Sequence, residues 1–202
     1  RPNEPKDLLA RTPPPNIHLI LDESFVDFSE KSVENTLLKN EVLETYPHLT
    51  VIKSISKSYG VPGLRLGIAA SSDKEIISYL RKNMAIWNIN SFAEFYLQIY
   101  SKYNNDYQNA CKKFIAERQR FFEVLQQVDF LRVIPSQANY FLCEVTSRFS
   151  STKLVSLLLE HNLLLKDCST KTGFNGRNYI RIAIRDTEDN NYLAENLKKL
   201  QA

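Results

Sequence analysis

The sequence predicts an α/β chain followed by a small α+β unit. A strand, helix, strand order opens it, three of its five glycines crowd into the eleven residues Lys57–Gly67, and its later part interleaves short strands with two helices.

Arg1–Pro15 is rich in proline and charge and reads as a loop feeding a buried strand, Ile17–Leu21, which stops at Asp22-Glu23-Ser24. Ser32–Tyr46 spaces Val33, Leu37, Leu38, Val42 and Leu43 at near-helical intervals. After Pro47 a second strand, Leu49–Ile52, runs into polar residues. Strand, helix, strand is the unit from which parallel sheets are built, and ligands collect at the carboxyl ends of such strands. Asp22 and Ser54-Ile55-Ser56-Lys57 are therefore expected to be neighbours. A short helix, Asp73–Asn83, comes next, and Ser91–Val128, without glycine or proline, predicts one or two long helices. A boundary near Asn104 and Asn105 divides the chain into 1–104, part of a larger parallel-sheet domain, and 105–202, a small α+β domain. The expected order in the latter is strand Phe130–Ile134, strand Asn139–Val145, helix Ser151–His161, strand Leu163–Lys166, strand Asn178–Ile184 and helix Thr187–Leu200.

Composition narrows the function classes. At 202 residues, 43% hydrophobic and 24% charged, the chain can bury one good core or two small ones. With 26 basic and 23 acidic residues, no like-charged block and no basic run interleaved with aromatics, nucleic acid is not an expected partner. The longest apolar stretches, such as Ile17–Leu21 and Leu163–Leu165, are too short for a bilayer, and the N-terminus lacks the order of a signal peptide. No membrane partner and a cytoplasmic location are expected. Cys111, Cys143 and Cys168 are odd in number without C-x-x-C spacing, which fits a reducing compartment. His18, His48 and His161 are scattered, so no metal site is expected.

The chemistry concentrates around one lysine. Lys57 is preceded by Ser-x-Ser and followed by an aromatic, a glycine, Pro-Gly and, eight positions on, Arg65. A lysine condenses with a carbonyl only as the neutral amine, and partial burial beside a positive charge moves it toward that state. Arg65 can supply that charge while binding an anion. Hydroxyls of Ser54 and Ser56 with the Arg65 guanidinium form a donor set suited to a phosphate ester, and the glycines let backbone approach it. Asp22, at the end of the neighbouring strand, can pair with a protonated pyridine nitrogen and so keep the ring an electron sink.

The string Ser54-Ile55-Ser56-Lys57-Ser58-Tyr59-Gly60-Val61-Pro62-Gly63-Leu64-Arg65-Leu66-Gly67 closely resembles the cofactor-lysine motif of the fold-type I, class I/II aminotransferases. Leu21-Asp22-Glu23-Ser24-Phe25-Val26-Asp27-Phe28 resembles that family's pyridine-binding aspartate segment, at a fitting distance from the lysine. Lys166-Asp167-Cys168-Ser169 and Asn178–Arg185 resemble the histidinol-phosphate aminotransferase and threonine-phosphate decarboxylase branch. The resemblance runs from Ile17 to near the C-terminus. It implies the C-terminal part of the pyridoxal-phosphate transferase fold, with 1–104 the remainder of the cofactor-binding large domain. It also implies pyridoxal 5'-phosphate as cofactor, a small-molecule amino donor or acceptor as substrate, and a homodimer. By the same resemblance Lys57 is the Schiff-base lysine and proton shuttle, Asp22 meets the pyridine nitrogen, and Ser54, Ser56 and Arg65 hold the cofactor phosphate. Arg181 is the substrate-carboxylate anchor, with Arg185 on the same strand face able to trade roles with it, and Asn139 lies on a strand facing the active site.

Two departures matter. Where many aminotransferases have a tyrosine three residues after the aspartate, this chain has Phe25, as is familiar in the threonine-phosphate decarboxylase branch. The family's N-terminal half, with a glycine-rich phosphate loop, an aromatic that stacks on the ring and an asparagine, has no counterpart in this sequence. The expected activity is an aminotransferase acting on an amino acid or phosphorylated amine. The alternatives are decarboxylation of an O-phospho amino acid and a non-catalytic fragment. Trp87 reads as core, and the aromatic stretch Phe92–Tyr107 as helix packing.

Overall fold

A computed structural model describes residues 17–174 and 176–201. The proline-rich opening, Arg1–Pro15, lies outside the described residues. The chain divides into two compact units that meet in sequence at Cys111 and Lys112, against the expected division at Asn104 and Asn105.

In the first unit, β1 (Leu19–Asp22) pairs in parallel with β2 (Leu49–Ser54), register Leu19 with Leu49 through Asp22 with Ile52. The expected strands thus lie side by side with their carboxyl ends together. A third strand, β3 (Gly67–Ser71), was not anticipated and pairs antiparallel with β2, Ser54 opposite Gly67. Gly67 is needed there because a Cβ would lie 3.3 Å from the Lys53 carbonyl oxygen. Leu37, Leu43, Leu49 and Val51 form the core beneath the sheet.

The single helix expected over Ser32–Tyr46 is instead two short ones, α1 (Ser32–Asn35) and α2 (Asn40–Thr45). Glu23, itself buried, causes the break: its carboxylate accepts from the Leu37 N–H and from the Thr36 hydroxyl, both at 2.6 Å. An N–H held by a side chain from another element is not available to a helical ladder.

α3 (Lys74–Asn83) begins where expected, its first turn capped by Asp73, whose carboxylate accepts from the Glu75 and Ile76 N–H groups. The aromatic region forms α4 (Ser91–Ile99), a 3-10 turn (Tyr100–Tyr103) and α5 (Asn104–Leu125). The Asn90 side chain caps α4 and also donates to the Leu64 carbonyl, seating Ala93 against Ile55 and Leu66. Trp87 is not core as expected. It is 91% exposed, beside Ile86 and Phe92, which are also exposed.

The second unit is a four-stranded antiparallel sheet in the order β4 (Leu131–Ile134), β5 (Tyr140–Val145), β7 (Tyr179–Ala183), β6 (Lys166–Asp167). Phe141, Cys143, Ile180 and Ile182 alternate onto one face. There they are buried with Phe121 and Leu125 of α5, Leu154 and Leu158 of α6 (Ser151–Leu159), and Leu193 and Leu197 of α7 (Thr187–Lys199). Burial pushes the Cys143 thiol up to about 12, so it behaves as a core residue. The expected strand over Leu163–Lys166 shrinks to two residues, because Leu163 and Leu165 pack on the core instead.

Candidate active site

Parallel pairing of β1 with β2 sets Asp22 at the carboxyl edge of the first sheet, beside the segment that carries Lys57. Ser24 ties the two together. Its N–H and hydroxyl both donate to Asp22 Oδ1, and its Oγ accepts from the Ser54 N–H at 3.0 Å. The other oxygen of the exposed Asp22 carboxylate has no partner among the described residues.

After Ser54 the chain turns through 55–59. The Ser54 hydroxyl accepts from the Ser56 N–H, and the Tyr59 N–H closes the turn on the Ile55 carbonyl. Both serines keep their hydroxyl protons for another acceptor. Lys57 is exposed on this turn, its ammonium 6.0 Å from the centre of the Phe25 ring, with no carboxylate partner among the described residues.

The Ile55 N–H donates to the Leu66 carbonyl, one step past the β2–β3 ladder, and Arg65 stands next in the chain. Arg65 adopts a left-handed backbone, φ 57°, at the end of the Pro62–Leu64 turn. One arm of its guanidinium donates to the Pro62 carbonyl, and the rest faces solvent.

Sequence reasoning passed over three residues here. Asp27 accepts from the Lys53 ammonium at 2.6 Å and from the Ser58 hydroxyl at 2.7 Å. The Lys53 and Asp27 side chains are only 10% and 16% exposed. The signal was present: alternation along β2 puts Lys53 on the face of Leu49 and Val51, and a lysine there needs a buried acid.

Arg181 and Asn139 lie in the second unit. Arg181 is on the β7 face away from the core, its guanidinium 5.3 Å from the centre of the Tyr140 ring, with Leu142 and Lys166 as its register partners. It has no carboxylate partner among the described residues. Arg185, on the same side, is ion-paired with Asp189. Asn139 is half-buried at the start of β5, its carbonyl accepting from the Ile184 N–H.

The model of the family "Aminotransferase class I and II" matches residues 1–197. The chain belongs to this family. It is 34% identical over 186 residues to an L-serine phosphate decarboxylase of Sulfurospirillum multivorans, covering 90% of this chain and 47% of that protein. It is 30% identical over 210 residues to a threonine-phosphate decarboxylase of Salmonella typhimurium, covering 98% and 56%. The crystal structure of a histidinol-phosphate aminotransferase from Clostridium acetobutylicum superposes with TM-score 0.88 at 26% identity, covering 98% of this chain and 59% of that one. The chain spans about half the length of the curated relatives it matches.

Pyridoxal phosphate is the cofactor of this aminotransferase family member. The first unit's residues fit such a group. An unshared carboxylate oxygen on Asp22 suits a pyridinium, two spare hydroxyls and a half-used guanidinium suit a phosphate, and an amine without an acid partner suits an aldehyde.

Proposed function

We propose that this chain carries the lysine-bearing part of a pyridoxal-phosphate-dependent decarboxylase of an O-phospho amino acid. The observation that carries the proposal is Phe25 beside Lys57, an aromatic without a hydroxyl where many aminotransferases have a tyrosine. The names of the two similar decarboxylases point the same way.

When bound, pyridoxal phosphate supplies an electron sink that accepts the pair from a bond broken at the substrate α-carbon. The protein's residues do the rest. Lys57 would hold the cofactor through its side-chain amine, and that amine would be the group that carries a proton to the substrate α-carbon. The Asp22 carboxylate would pair with the pyridine nitrogen. Ser54, Ser56 and Arg65 would hold the cofactor phosphate. Arg181 takes the substrate carboxylate as a bidentate partner, with Asn139 at the adjoining strand start.

A second reading, transamination of an amino acid or phosphorylated amine, is supported by the likeness to the histidinol-phosphate aminotransferase structure. In that case the Lys57 amine would be the base that accepts the substrate α-proton. Incubating the full-length protein with O-phosphoserine or O-phosphothreonine separates the two. The proposal expects carbon dioxide and a phosphorylated amine in equal amounts, without an added keto acid. A keto product that appears only with an amino acceptor supports transamination instead.

A further inference from the structure

We propose that Asp27 is a positioning residue of the Lys57 site, a single carboxylate that clamps both ends of the lysine turn to the strand segment bearing Asp22. This rests on the reading of Lys57 as the cofactor-binding lysine.

The geometry is bidentate and spans the turn. One Asp27 oxygen accepts from Lys53, in the last residues of β2 before the turn, and the other from Ser58, the residue directly after Lys57. Asp27 itself lies in the 3-10 turn Val26–Phe28, five residues from the end of the strand that sets Asp22. Lys57 is thus bracketed by two contacts to one rigid group, while its own side chain stays exposed.

The clamp is shielded from water. The Tyr59 ring lies 5.9 Å from the Lys53 ammonium and stacks on Tyr107 at 4.2 Å with an interplanar angle of 6°. Tyr100 packs against both rings. Burial and the neighbouring Asp27 charge raise the Tyr59 and Tyr107 phenols, so both stay neutral lids at any physiological pH. A charge pair under such a lid is weakly screened and resists the sway of an exposed turn. A lysine that must release and recapture one carbon needs its backbone held still, since small misplacements cost rate steeply. Ser24 makes the second tie, from Asp22 to Ser54, so the acid and the lysine turn are joined at two points.

The test uses the full-length holoenzyme and three variants, Asp27→Asn, Ser58→Ala and Lys53→Arg. The readouts are the pH midpoint of the bound cofactor's visible absorbance, the rate of borohydride-trapped attachment at Lys57 by mass spectrometry, and the melting temperature. Asp27→Asn is expected to shift the midpoint by about one pH unit and to slow attachment about tenfold. Ser58→Ala, which leaves the ion pair intact and so the fold, is expected to slow attachment several-fold with little change in melting. Lys53→Arg, which keeps a cation on Asp27, is expected to keep wild-type values. Should both Asp27→Asn and Ser58→Ala keep the wild-type midpoint and attachment rate, whatever their melting temperatures, the clamp merely holds the fold and the proposal is overturned. If Asp27→Asn does not fold, the Ser58→Ala attachment rate decides alone. No label on Lys57 in the wild type sinks the underlying reading of Lys57, and the clamp with it.

Discussion

Arg181 and Arg185 alternate onto one side of the chain and differ in their partners. The Arg181 guanidinium lies 5.3 Å from the centre of the Tyr140 ring, and no carboxylate among the described residues neutralises it. Arg185, its rival on the same strand face, already has Asp189 as a partner. That difference favours Arg181 as the carboxylate anchor, and sequence alternation alone could not draw it. Replacing Arg181 with Ala in the full-length protein is expected to raise KM for the amino acid about 100-fold, the loss of about 2.8 kcal/mol of charge-assisted pairing. Arg181→Lys is expected to recover only part of this, because an ammonium keeps the charge and loses the planar fork. Steady-state kinetics with varied substrate checks both.

At the scale of elements, what was legible followed local pattern, and what was not depended on distant partners. The parallel pair β1–β2 could be read because apolar runs end in polar residues at matching places, and α3 because Asp73 stands just before its first turn. The split between α1 and α2 was hidden, since Leu37 and Leu38 continue the helical spacing while Glu23, 14 residues away, takes the Leu37 N–H. β3 was hidden for a different reason: Gly67, Ala69 and Ala70 give no alternation of large apolar residues, and only the close approach to Lys53 makes them a strand. Within the candidate site, the motif string carried the candidates Lys57, Ser54, Ser56 and Arg65, whereas Asp27 and Lys53 drew no role from it, although alternation along β2 already sets Lys53 on the buried face. Trp87 erred in the opposite direction. Apolarity marks a residue that prefers burial, yet no described residue covers this indole.

For the molecule as a whole, the second unit carries an acid-sensitive polar frame around its core. Glu117 on α5 accepts from Arg120, Asn190 and Thr187, and the hydrogen bonds from Arg120 first hold its carboxyl down at about 2 against an ordinary 4.5. Burial alone would raise the Asp167 carboxyl, but the Thr152 and Ser151 hydroxyls and the Ser169 N–H outweigh it and bring the group to about 2 from 3.8. Folded-state values below the unfolded ones bind fewer protons than the unfolded chain does, so both groups stabilise fully above about pH 4.5. Their contribution is expected to be lost as pH falls from about 4.5 to about 2. Urea denaturation across that window, comparing wild type with Glu117→Gln, checks it: the variant is expected to be less stable at neutral pH and to converge on the wild type in acid.

The central claim is that Lys57 is the residue that holds the cofactor, and covalent trapping tests it most directly. The full-length protein is mixed with pyridoxal phosphate, reduced with borohydride, digested and analysed by mass spectrometry, beside its Lys57→Ala variant. The account predicts a stable pyridoxyl group on the peptide containing Ser56-Lys57-Ser58, and loss of both the label and the visible absorbance in the variant. A label on another lysine, or an absorbance that survives in Lys57→Ala, would contradict it.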